Sequence, residues 1–361
     1  MTKLKVIGAG SIGNHLSNAA RAKGWDVTLC DIDPDALERT RRDIYPGRYG
    51  AWDEAISLVS VKDAPRGGFD WIFIGTPPNS HIELALEALE ERPTAILVEK
   101  PCATPDLAGC QALYDKAANA GVRIFVGYDH VVAKSTAHFM ELARNTRDAQ
   151  TLDVAFREHW QGIFNAHPWL AGPSDSYLGY WRRGGGACGE HSHALNLWQH
   201  IAHTIGAGRV TGVTATLDYV AYDGAEYDRL ALLNLRTETG FVGRVAQDVV
   251  TRPPLKWARL QASNEALEWK CEASPYRDVV SQYGEKTNEQ VFTKTRPEDF
   301  IQELTHLETA LKNGADSPLS LDRGLDSMLV IAAAHMSAQQ RCEVTIDYSK
   351  GYRHAALARA Q

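Results

Sequence analysis

The chain has 361 residues, 44% of them hydrophobic and 23% charged, and this length can form two domains with separate cores. The formal net charge of −7 argues against a surface that binds nucleic acid or an anionic membrane. No apolar run approaches the roughly 20 residues of a membrane span, and the N-terminus lacks the pattern of a signal peptide. The six cysteines are scattered without a C-x-x-C pair, as is typical of reduced thiols, so we expect a cytoplasmic protein.

The first 126 residues alternate short apolar runs with amphipathic stretches, which is typical of a parallel sheet wrapped by helices. Strands are predicted at 3–7, 27–30, 71–74, 96–98 and 123–126, and helices at 11–22, 81–91 and 105–119. The segment 51–65 is ambiguous, and its element types stay open. We therefore predict an α/β Rossmann domain, a doubly wound parallel sheet, over residues 1–126.

From residue 127 onward the pattern predicts a second, α+β domain that ends at residue 361. Long alternating strands at 210–222, 229–237 and 241–249 are typical of an antiparallel meander, and shorter strands are predicted at 151–159 and 343–346. Helices are predicted at 135–145, 190–203, 298–313 and 322–340, and a long loop at 160–186. We expect a large open, mostly antiparallel sheet flanked by helices. Its outer face carries apolar residues that one helical layer leaves uncovered, which predicts self-association.

A dinucleotide-binding fingerprint, G-x-G-x-x-G, lies between the first strand and the first helix. Gly8 permits the tight turn, Gly10 lets the backbone approach a diphosphate, and Gly13 allows the helix to pack closely on the strand. Asp31 ends the second strand about 20 residues further on, where a carboxylate can bind a ribose 2′-hydroxyl. The predicted cofactor contacts of this region are Gly8, Gly10, Ser11, Ile12, Gly13, Asp31 and Ile32.

The same region predicts NAD rather than NADP as the cofactor. A carboxylate at Asp31 repels a 2′-phosphate, and the residues that follow it, 32–34, include no arginine to bind one. Arg39, Arg41 and Arg42 lie farther along the next helix, where we expect them to face solvent.

Two further motifs narrow the possible families. Thr76-Pro77-Pro78-Asn79-Ser80-His81 follows one buried strand, and Glu99-Lys100-Pro101 follows the next. Together with the fingerprint, this ordered set resembles the glucose–fructose oxidoreductase / inositol dehydrogenase (Gfo/Idh/MocA) family of NAD(P)-dependent oxidoreductases. The resemblance implies hydride transfer between NAD and a hydroxyl of a sugar, cyclitol, glycoside or nucleotide sugar, in a homodimer or homotetramer. It also implies cofactor contacts at Thr76, Pro77, Asn79, His81, Glu99 and Lys100.

The resemblance implies two catalytic residues as well. In the family, the lysine of Glu-Lys-Pro reaches both cofactor and substrate, and a histidine after a glycine-rich turn of the second domain acts as acid and base. Lys100 matches the lysine. The turn at 184–186 is followed by Glu190-His191-Ser192-His193, which departs from the usual D-x-x-x-H and resembles an E-x-S-H branch of the family. We therefore expect His193, rather than His191, to be the acid/base.

Elementary chemistry favours the same residue. Glu190 and His193 are three positions apart, so on one helix they share a face, and the carboxylate can orient the imidazole. Alcohol oxidation needs a group that takes the hydroxyl proton, and histidine, with an ordinary pKa near 6.5, suits that task. His193, Asn196, His200 and His203 also follow one face, but no second ligand-bearing helix is evident, so we predict no metal site.

The substrate contacts are predicted around the start and the loop of the second domain. Tyr128-Asp129-His130 departs from the Tyr/Phe-Asn-x-Arg pattern of the family, which indicates an unusual substrate. Aromatic rings of the loop can stack on a sugar or pin the loop to the sheet, and both interpretations stay open. The predicted substrate contacts are Lys100, Tyr128, His130, Trp160, Trp169, Tyr180 and His193.

Two other functions compete with a reversible dehydrogenase. The chain could be a non-catalytic NAD-binding regulator, although the presence of both Lys100 and His193 argues against this. Alternatively, it could keep NAD bound and use transient oxidation to enable elimination or glycoside cleavage. Net release of NADH distinguishes the dehydrogenase from an enzyme that recycles its cofactor.

Overall fold

Two sheets organise the chain in the computed structural model, which describes residues 1–360 apart from the side chains at positions 296 and 297. The first sheet has six parallel strands in the order β3-β2-β1-β4-β5-β6. These strands are β1 (Lys3–Ile7), β2 (Asp26–Asp31), β3 (Ile56–Ser60), β4 (Trp71–Ile74), β5 (Ala95–Val98) and β6 (Arg123–Val126). The doubly wound fold predicted for this half is confirmed, and the ambiguous segment supplies the edge strand β3.

Helices cover both faces of this sheet because its central strands are apolar on both sides; every residue of β4 and β5 is buried. They are α1 (Ser11–Ala22), α2 (Pro34–Arg39), α3 (Tyr45–Tyr49), α4 (His81–Glu90) and α5 (Cys110–Ala120). The helix predicted at 105–119 begins five residues late, because Leu107 and Gly109 both adopt positive φ angles that interrupt a right-handed helix. The strand order reverses beside β1, so the crevice for a ligand opens at the carboxyl ends of β1, β4 and β5.

The second sheet has ten strands in the order β14-β13-β12-β11-β7-β10-β9-β8-β15-β16. All of its pairs are antiparallel except β7 with β10, so the predicted open, mostly antiparallel sheet is confirmed. The strands that the sequence predicted are β7 (Ala149–Arg157), β8 (Val210–Tyr222), β9 (Ala225–Thr237), β10 (Val242–Asp248) and β15 (Val344–Ile346). The additional strands are β11 (Leu255–Ala262), β12 (Ala266–Ser274), β13 (Arg277–Tyr283), β14 (Asn288–Thr293) and β16 (Leu357–Arg359).

Helices cover one face of this second sheet, and the other face is open. The helices of this half are α6 (Lys134–Asn145), α7 (Gln161–Ala166), α8 (Gly186–Glu190), α9 (Ser192–Thr204), α10 (Arg296–Asn313) and α11 (Leu321–Gln340). α6, α9 and α11 pack against β12, β7 and β8 respectively. On the open side Leu232, Val242 and Leu255 remain 41–46% exposed beside ion pairs such as Arg244 with Asp153. Among residues 1–360, no helix has both the length and the apolar character to cross a bilayer.

Candidate active site

The three fingerprint glycines have different surroundings, which explain why each is a glycine. Gly8 has a φ of +105°, and a Cβ there would lie 2.9 Å from the backbone of Gly75. A Cβ on Gly13 would lie 1.9 Å from the carbonyl oxygen of Gly8. A Cβ on Gly10, in contrast, would meet no atom within 4 Å. Two glycines therefore serve packing, and the third leaves open space at the N-terminus of α1, which fits the diphosphate of a dinucleotide.

Asp31 lies beside this turn, and its carboxylate accepts hydrogen bonds from two backbone N–H groups. Its Oδ2 accepts from the backbone N–H of Ala9 at 2.6 Å, and its Oδ1 accepts from that of Asp33 at 2.9 Å. Ile32 follows it with 85% of its surface exposed, as an apolar contact for a bound nucleotide requires. The carboxylate thus holds the glycine turn and faces the side where a ribose would bind.

The arginines that follow Asp31 behave differently from one another. Arg41 and Arg42 are exposed, as predicted, and contact the carboxylates of Glu54 and Glu38. Arg39 is half-buried instead, and its guanidinium lies 4.9 Å from the ring centroid of Trp169, in the loop of the second half. The expectation that Arg39 faces solvent is therefore wrong, because a cation–π contact holds it against that loop.

Two of the predicted cofactor contacts are buried in the fold. His81 has no exposed surface, and its Nε2 and Nδ1 lie 2.7 Å from the carbonyl of Thr76 and 2.9 Å from that of Pro101. Burial lowers the pKa of His81 to about 4, so the ring is neutral and joins the two loops. Glu99 is 5% exposed, its Oε2 accepts from the N–H of Lys100, and burial raises its pKa to about 8. The side chains of His81 and Glu99 therefore support the loops around Lys100, and their contact with the cofactor remains a prediction.

The other loop residues lie nearer the opening. Thr76 and Ser80 share a hydroxyl–hydroxyl hydrogen bond of 2.8 Å, and Pro77 is exposed. Asn79 accepts at its Oδ1 from Nε of Arg183, at 3.4 Å, so this loop already contacts the second half of the chain. Cofactor contact remains a prediction for Thr76, Pro77 and Asn79.

Lys100 and Glu190 bring the two halves together. The ammonium of Lys100 donates to the backbone oxygen of Glu190 at 2.9 Å and to its Oε2 at 3.3 Å. The side chains of Lys100 and Glu190 are 15% and 18% exposed, so the ion pair lies inside the cleft. Burial, together with the nearby carboxylate of Glu190, raises the pKa of the phenol of Tyr177. Tyr177 was not among the predicted site residues.

The helix predicted over 190–203 is two helices, which changes the role of Glu190. α8 ends at Glu190, His191 departs from helical geometry with φ −95° and ψ 24°, and α9 begins at Ser192. The shared helix face that would aim Glu190 at His193 is therefore absent, and that expectation is wrong. Glu190 contacts Lys100 instead.

Long-range contacts hold this break in place. Asp228, on β9, accepts at its Oδ2 from the N–H of Cys188 at 2.7 Å, and Gln247, on β10, donates to the backbone oxygen of His191. Gly186 has a φ of +75°, and a Cβ there would lie 1.9 Å from Oδ1 of Asp228. The turn between the two helices thus depends on side chains of the large sheet.

His193 lies beside a different carboxylate, Asp129. Its Nδ1 is 3.8 Å from Oδ1 of Asp129, and the same oxygen is 2.8 Å from Nδ1 of His130. The rings of His130 and His193 stack with centroids 4.6 Å apart, and Tyr128 contacts His193 edge-on at 5.5 Å. Burial, assisted by His130 and the charge of Lys100, lowers the pKa of His193 well below 6.5, so its imidazole is neutral at pH 7 and can accept a proton.

Asp129 was not among the predicted site residues, although it lies beside His193. The only signal was the departure of Tyr128-Asp129-His130 from the family pattern. Asp129, His130 and His193 have ligand atoms within 4.8 Å of one another and could hold a metal ion, whereas Asn196 of the histidine face considered earlier is buried against Ser327 of α11. The absence of a metal ion from this group of residues remains a prediction.

The aromatic residues predicted to bind substrate divide into two groups. Trp160 is 6% exposed and stacks on Phe164 with centroids 5.6 Å apart, and Tyr128 is fully buried. For Trp160 and Tyr128 the structure therefore favours packing over direct substrate contact. Trp169 contacts Arg39 of the first half, as described above. Tyr180 is half-buried and donates to the backbone of Ser174 at 3.2 Å; substrate contact for it and for His130 remains a prediction.

Comparison with known proteins agrees with this geometry. Residues 2–128 match the family described as an oxidoreductase family with an NAD-binding Rossmann fold, Gfo/Idh/MocA. No curated protein sequence matches the chain.

Solved structures share the fold over almost the whole chain. A levoglucosan dehydrogenase in complex with NADH has a TM-score of 0.76 at 16% identity, covering 95% of this chain and 98% of that one. The WlbA dehydrogenase of Bordetella pertussis, in complex with NADH and UDP-GlcNAcA, has a TM-score of 0.71 at 20% identity, with the same coverage. An aldose-aldose oxidoreductase of Caulobacter crescentus has a TM-score of 0.75 at 17% identity, covering 96% of this chain and 99% of that one. The match to this oxidoreductase family thus covers residues 2–128, which hold the first sheet, and the solved structures share the fold of nearly the whole chain.

Proposed function

We propose that the protein is an NAD-dependent dehydrogenase that oxidises a ring hydroxyl of a sugar or a related polyol. One observation carries the proposal: Lys100, at the end of a parallel strand, and the turn that bears Glu190 and His193 meet across the cleft through a partly buried ion pair. The charge of Lys100 is near enough to affect the pKa of His193. A cation and a neutral base thus converge beside the crevice where the fold binds a dinucleotide.

The residues of this cleft can divide the reaction between them. A bound NAD would supply the acceptor for the hydride of the substrate carbon. His193 accepts the hydroxyl proton, and the ammonium of Lys100 donates a hydrogen bond to the same oxygen as negative charge develops there. Glu190 holds that ammonium in the cleft, and Asp129 stabilises the imidazolium that forms. The oxidised product carries a carbonyl in place of the hydroxyl.

We propose NAD rather than NADP as the cofactor that the enzyme uses. The carboxylate of Asp31 stands where a 2′-phosphate would bring like charge, and residues 32–34 offer no cation. Glycines at 8, 10 and 13, with Ser11, Ile12 and Ile32, would hold the dinucleotide along this edge.

A carbohydrate substrate is the class best supported by the relatives. Proteins of the same fold are described as acting on levoglucosan and on aldoses, and one binds UDP-GlcNAcA. The departure at Asp129 and His130 places a carboxylate and an imidazole beside His193, two groups that can hydrogen-bond a polyol. We infer that these two residues help to select the substrate.

The test is an assay of the purified protein with NAD against free sugars, inositols, nucleotide sugars and glycosides. We expect NADH to accumulate, at an absorbance near its reduced-nicotinamide band, with at least one member of the panel. Lys100→Met should abolish that turnover, and Lys116→Met, an exposed lysine paired with Glu90, should leave it unchanged. NADH that forms but stays bound would instead indicate an enzyme that recycles its cofactor, and binding of NAD without turnover on any substrate would indicate a regulator.

We also propose that residues 1–126 and 127–361 form separate domains and that the open face of the large sheet joins copies of the chain. The exposed apolar residues of that face, described above, are what a partner would cover. Sedimentation at micromolar concentration should give a dimer or tetramer, and Leu232→Glu should shift it toward monomer. A monomeric wild type in the presence of NAD would contradict the proposal.

A further inference from the structure

Part of the long loop of the second half rests on the first half beside the glycine turn. We call residues 161–170 the cover segment; it contains α7 and Trp169. Arg48, on α3, joins the two sides: its Nη1 donates to Oγ of Ser11 at 2.7 Å, and its Nη2 donates to the backbone oxygen of Ala166 at 2.8 Å. Trp169 provides a second attachment, through its contact with Arg39. The cover segment is therefore attached to the glycine-turn end of the first half by two arginines.

The attachment of Arg48 leaves its charge uncompensated. Arg48 is half-buried, and within the described residues no carboxylate lies within the 4.0 Å that would make an ion pair with it. Both of its donors described above go to neutral oxygens. A guanidinium that is partly withdrawn from water without an anion is costly, and an anionic ligand beside it would relieve that cost.

Ser11 identifies where such an anion would lie. It is the first residue of α1 and directly follows Gly10. A Cβ on Gly10 would meet no atom within 4 Å, so the space beside that glycine is open. The N–H groups at the start of α1 and the guanidinium of Arg48 therefore border the same space, and a planar guanidinium suits the paired oxygens of a phosphate. α3 is held in place for this role, because the hydroxyl of the neighbouring Tyr49 lies 2.7 Å from Nδ1 of His15 on α1.

We infer that Arg48 binds the diphosphate of the dinucleotide and, through Ala166, fastens the cover segment over it. The inference rests on the proposed function, because it assumes that the dinucleotide is NAD. Its consequence is kinetic: the cofactor can leave only after the contacts of Arg48 and Trp169 with the other half have parted. Arg48 is thus a cofactor-binding residue that lies outside every sequence motif.

The test measures NADH binding and release by nucleotide fluorescence, without any substrate. Charge-assisted hydrogen bonds of this kind predict that Arg48→Met raises the Kd for NADH roughly tenfold or more, and that binding becomes less sensitive to added NaCl. Arg48→Lys keeps the positive charge but loses the planar guanidinium. Its Kd for NADH should lie between those of the wild type and of Arg48→Met. Arg41→Met, on an exposed arginine of the same region, is the matched control and should stay within about twofold of wild type.

A second variant separates the diphosphate contact from the fastening. Trp169→Ala loosens the cover segment but removes no charge, so NADH should dissociate faster in stopped-flow while the salt dependence of its binding stays that of the wild type. Thermal unfolding of each variant checks that the fold is intact. An unchanged Kd for a folded Arg48→Met protein, or an equal loss with Arg41→Met, overturns the inference. Failure of the wild type itself to bind NADH would overturn the proposed function instead.

Discussion

Each half of the molecule carries candidate functional residues on a glycine-rich turn at the start of a helix, but different contacts stabilise the two turns. The turn of the first half, at Gly8 and Gly13, is shaped by neighbouring backbone and by Asp31, whose carboxylate accepts from Ala9. The turn of the second half, around Gly186, is held by side chains of strands that lie far along the sequence. Asp228 is 40 residues from Cys188, and Gln247 is 56 residues from His191.

This difference has a consequence for function. The first turn is a local structure that leaves an open space beside Gly10. The second turn depends on the large sheet, and the break at His191 separates Glu190 from His193. As a result the two catalytic candidates contact different partners, Lys100 for Glu190 and Asp129 for His193. Substitutions in β9 or β10 can therefore change the positions of Glu190 and His193.

The largest expected effect comes from His193 itself. A positioned acid/base contributes about 10²–10⁴-fold, so His193→Ala should lower kcat by about that factor while the Kd for NADH stays near wild type. His191→Ala is the matched control on the same turn: its side chain is buried, and we expect lower stability but little loss of kcat per folded protein. If His191→Ala abolished turnover and His193→Ala did not, the assignment of the second turn would be wrong.

Asp129→Asn tests the partner that the tertiary structure provides for His193. The negative charge of Asp129 opposes the fall in the pKa of His193, so its removal should lower that pKa further and make the imidazole a weaker base. We expect a smaller loss of kcat than with His193→Ala. The acid limb of the profile of kcat against pH should also move to lower pH, because the base stays deprotonated further down the scale. Glu190→Gln, acting on Lys100, should not produce that shift; an identical shift would contradict the pairing.

Two alanine substitutions in the first turn compare a glycine that is needed for packing with a glycine that leaves room for a ligand. Gly13→Ala places a Cβ 1.9 Å from a backbone oxygen, and such overpacking should reduce the free energy of unfolding by about 1–3 kcal/mol or more. Gly10→Ala meets nothing within 4 Å, so its unfolding should resemble wild type while its affinity for NADH falls. Thermal unfolding and NADH titration of both variants are the measurements. Equal destabilisation by the two substitutions would contradict the separate roles.

Asp31→Ala concerns the cofactor preference of the first turn. We expect weaker NAD binding and less discrimination against NADP, because the like charge that opposes a 2′-phosphate is gone. Some loss of stability should accompany it, since the N–H of Ala9 loses its acceptor. The measurement is the ratio of kcat/KM for NAD and NADP. Wild type that used NADP better than NAD would show that Asp31 does not set the preference.

Asp228→Asn concerns the second turn and is tested by stability rather than by activity. Burial raises the pKa of Asp228 to about 7, so between about pH 4 and pH 7 the folded protein holds a proton that the unfolded chain releases. The stability that this proton contributes is present at low pH and is lost as pH rises through 7, with a slope of at most about 1.4 kcal/mol per pH unit. The stability of Asp228→Asn relative to wild type should therefore improve from pH 5 to pH 8. A difference in unfolding free energy that stays constant with pH would contradict the assignment.

The sequence alone predicted the elements that are marked by residues close together in the chain. The glycine fingerprint, the aspartate after the second strand and the Glu-Lys-Pro motif all lie next to buried apolar runs, and their positions at the carboxyl ends of β1, β2 and β5 follow from that adjacency. The alternating strands β8, β9 and β10 were recognisable for the same reason. The sequence did not show, however, that the side chains of His81 and Glu99 are buried behind their motifs.

The positions of catalytic partners were decided only by tertiary structure. A spacing of three residues places Glu190 and His193 on one face only if the helix between them is continuous, and contacts from β9 and β10 stabilise a break there. The pairing of His193 with Asp129, and of Arg48 with the cover segment, joins residues 64 and more positions apart. Such contacts arise where helices and loops of the two halves of the chain meet, and no local periodicity encodes them. The amino-acid pattern thus determined the fold class and the glycine turn after β1, whereas long-range packing decided which side chains meet in the cleft.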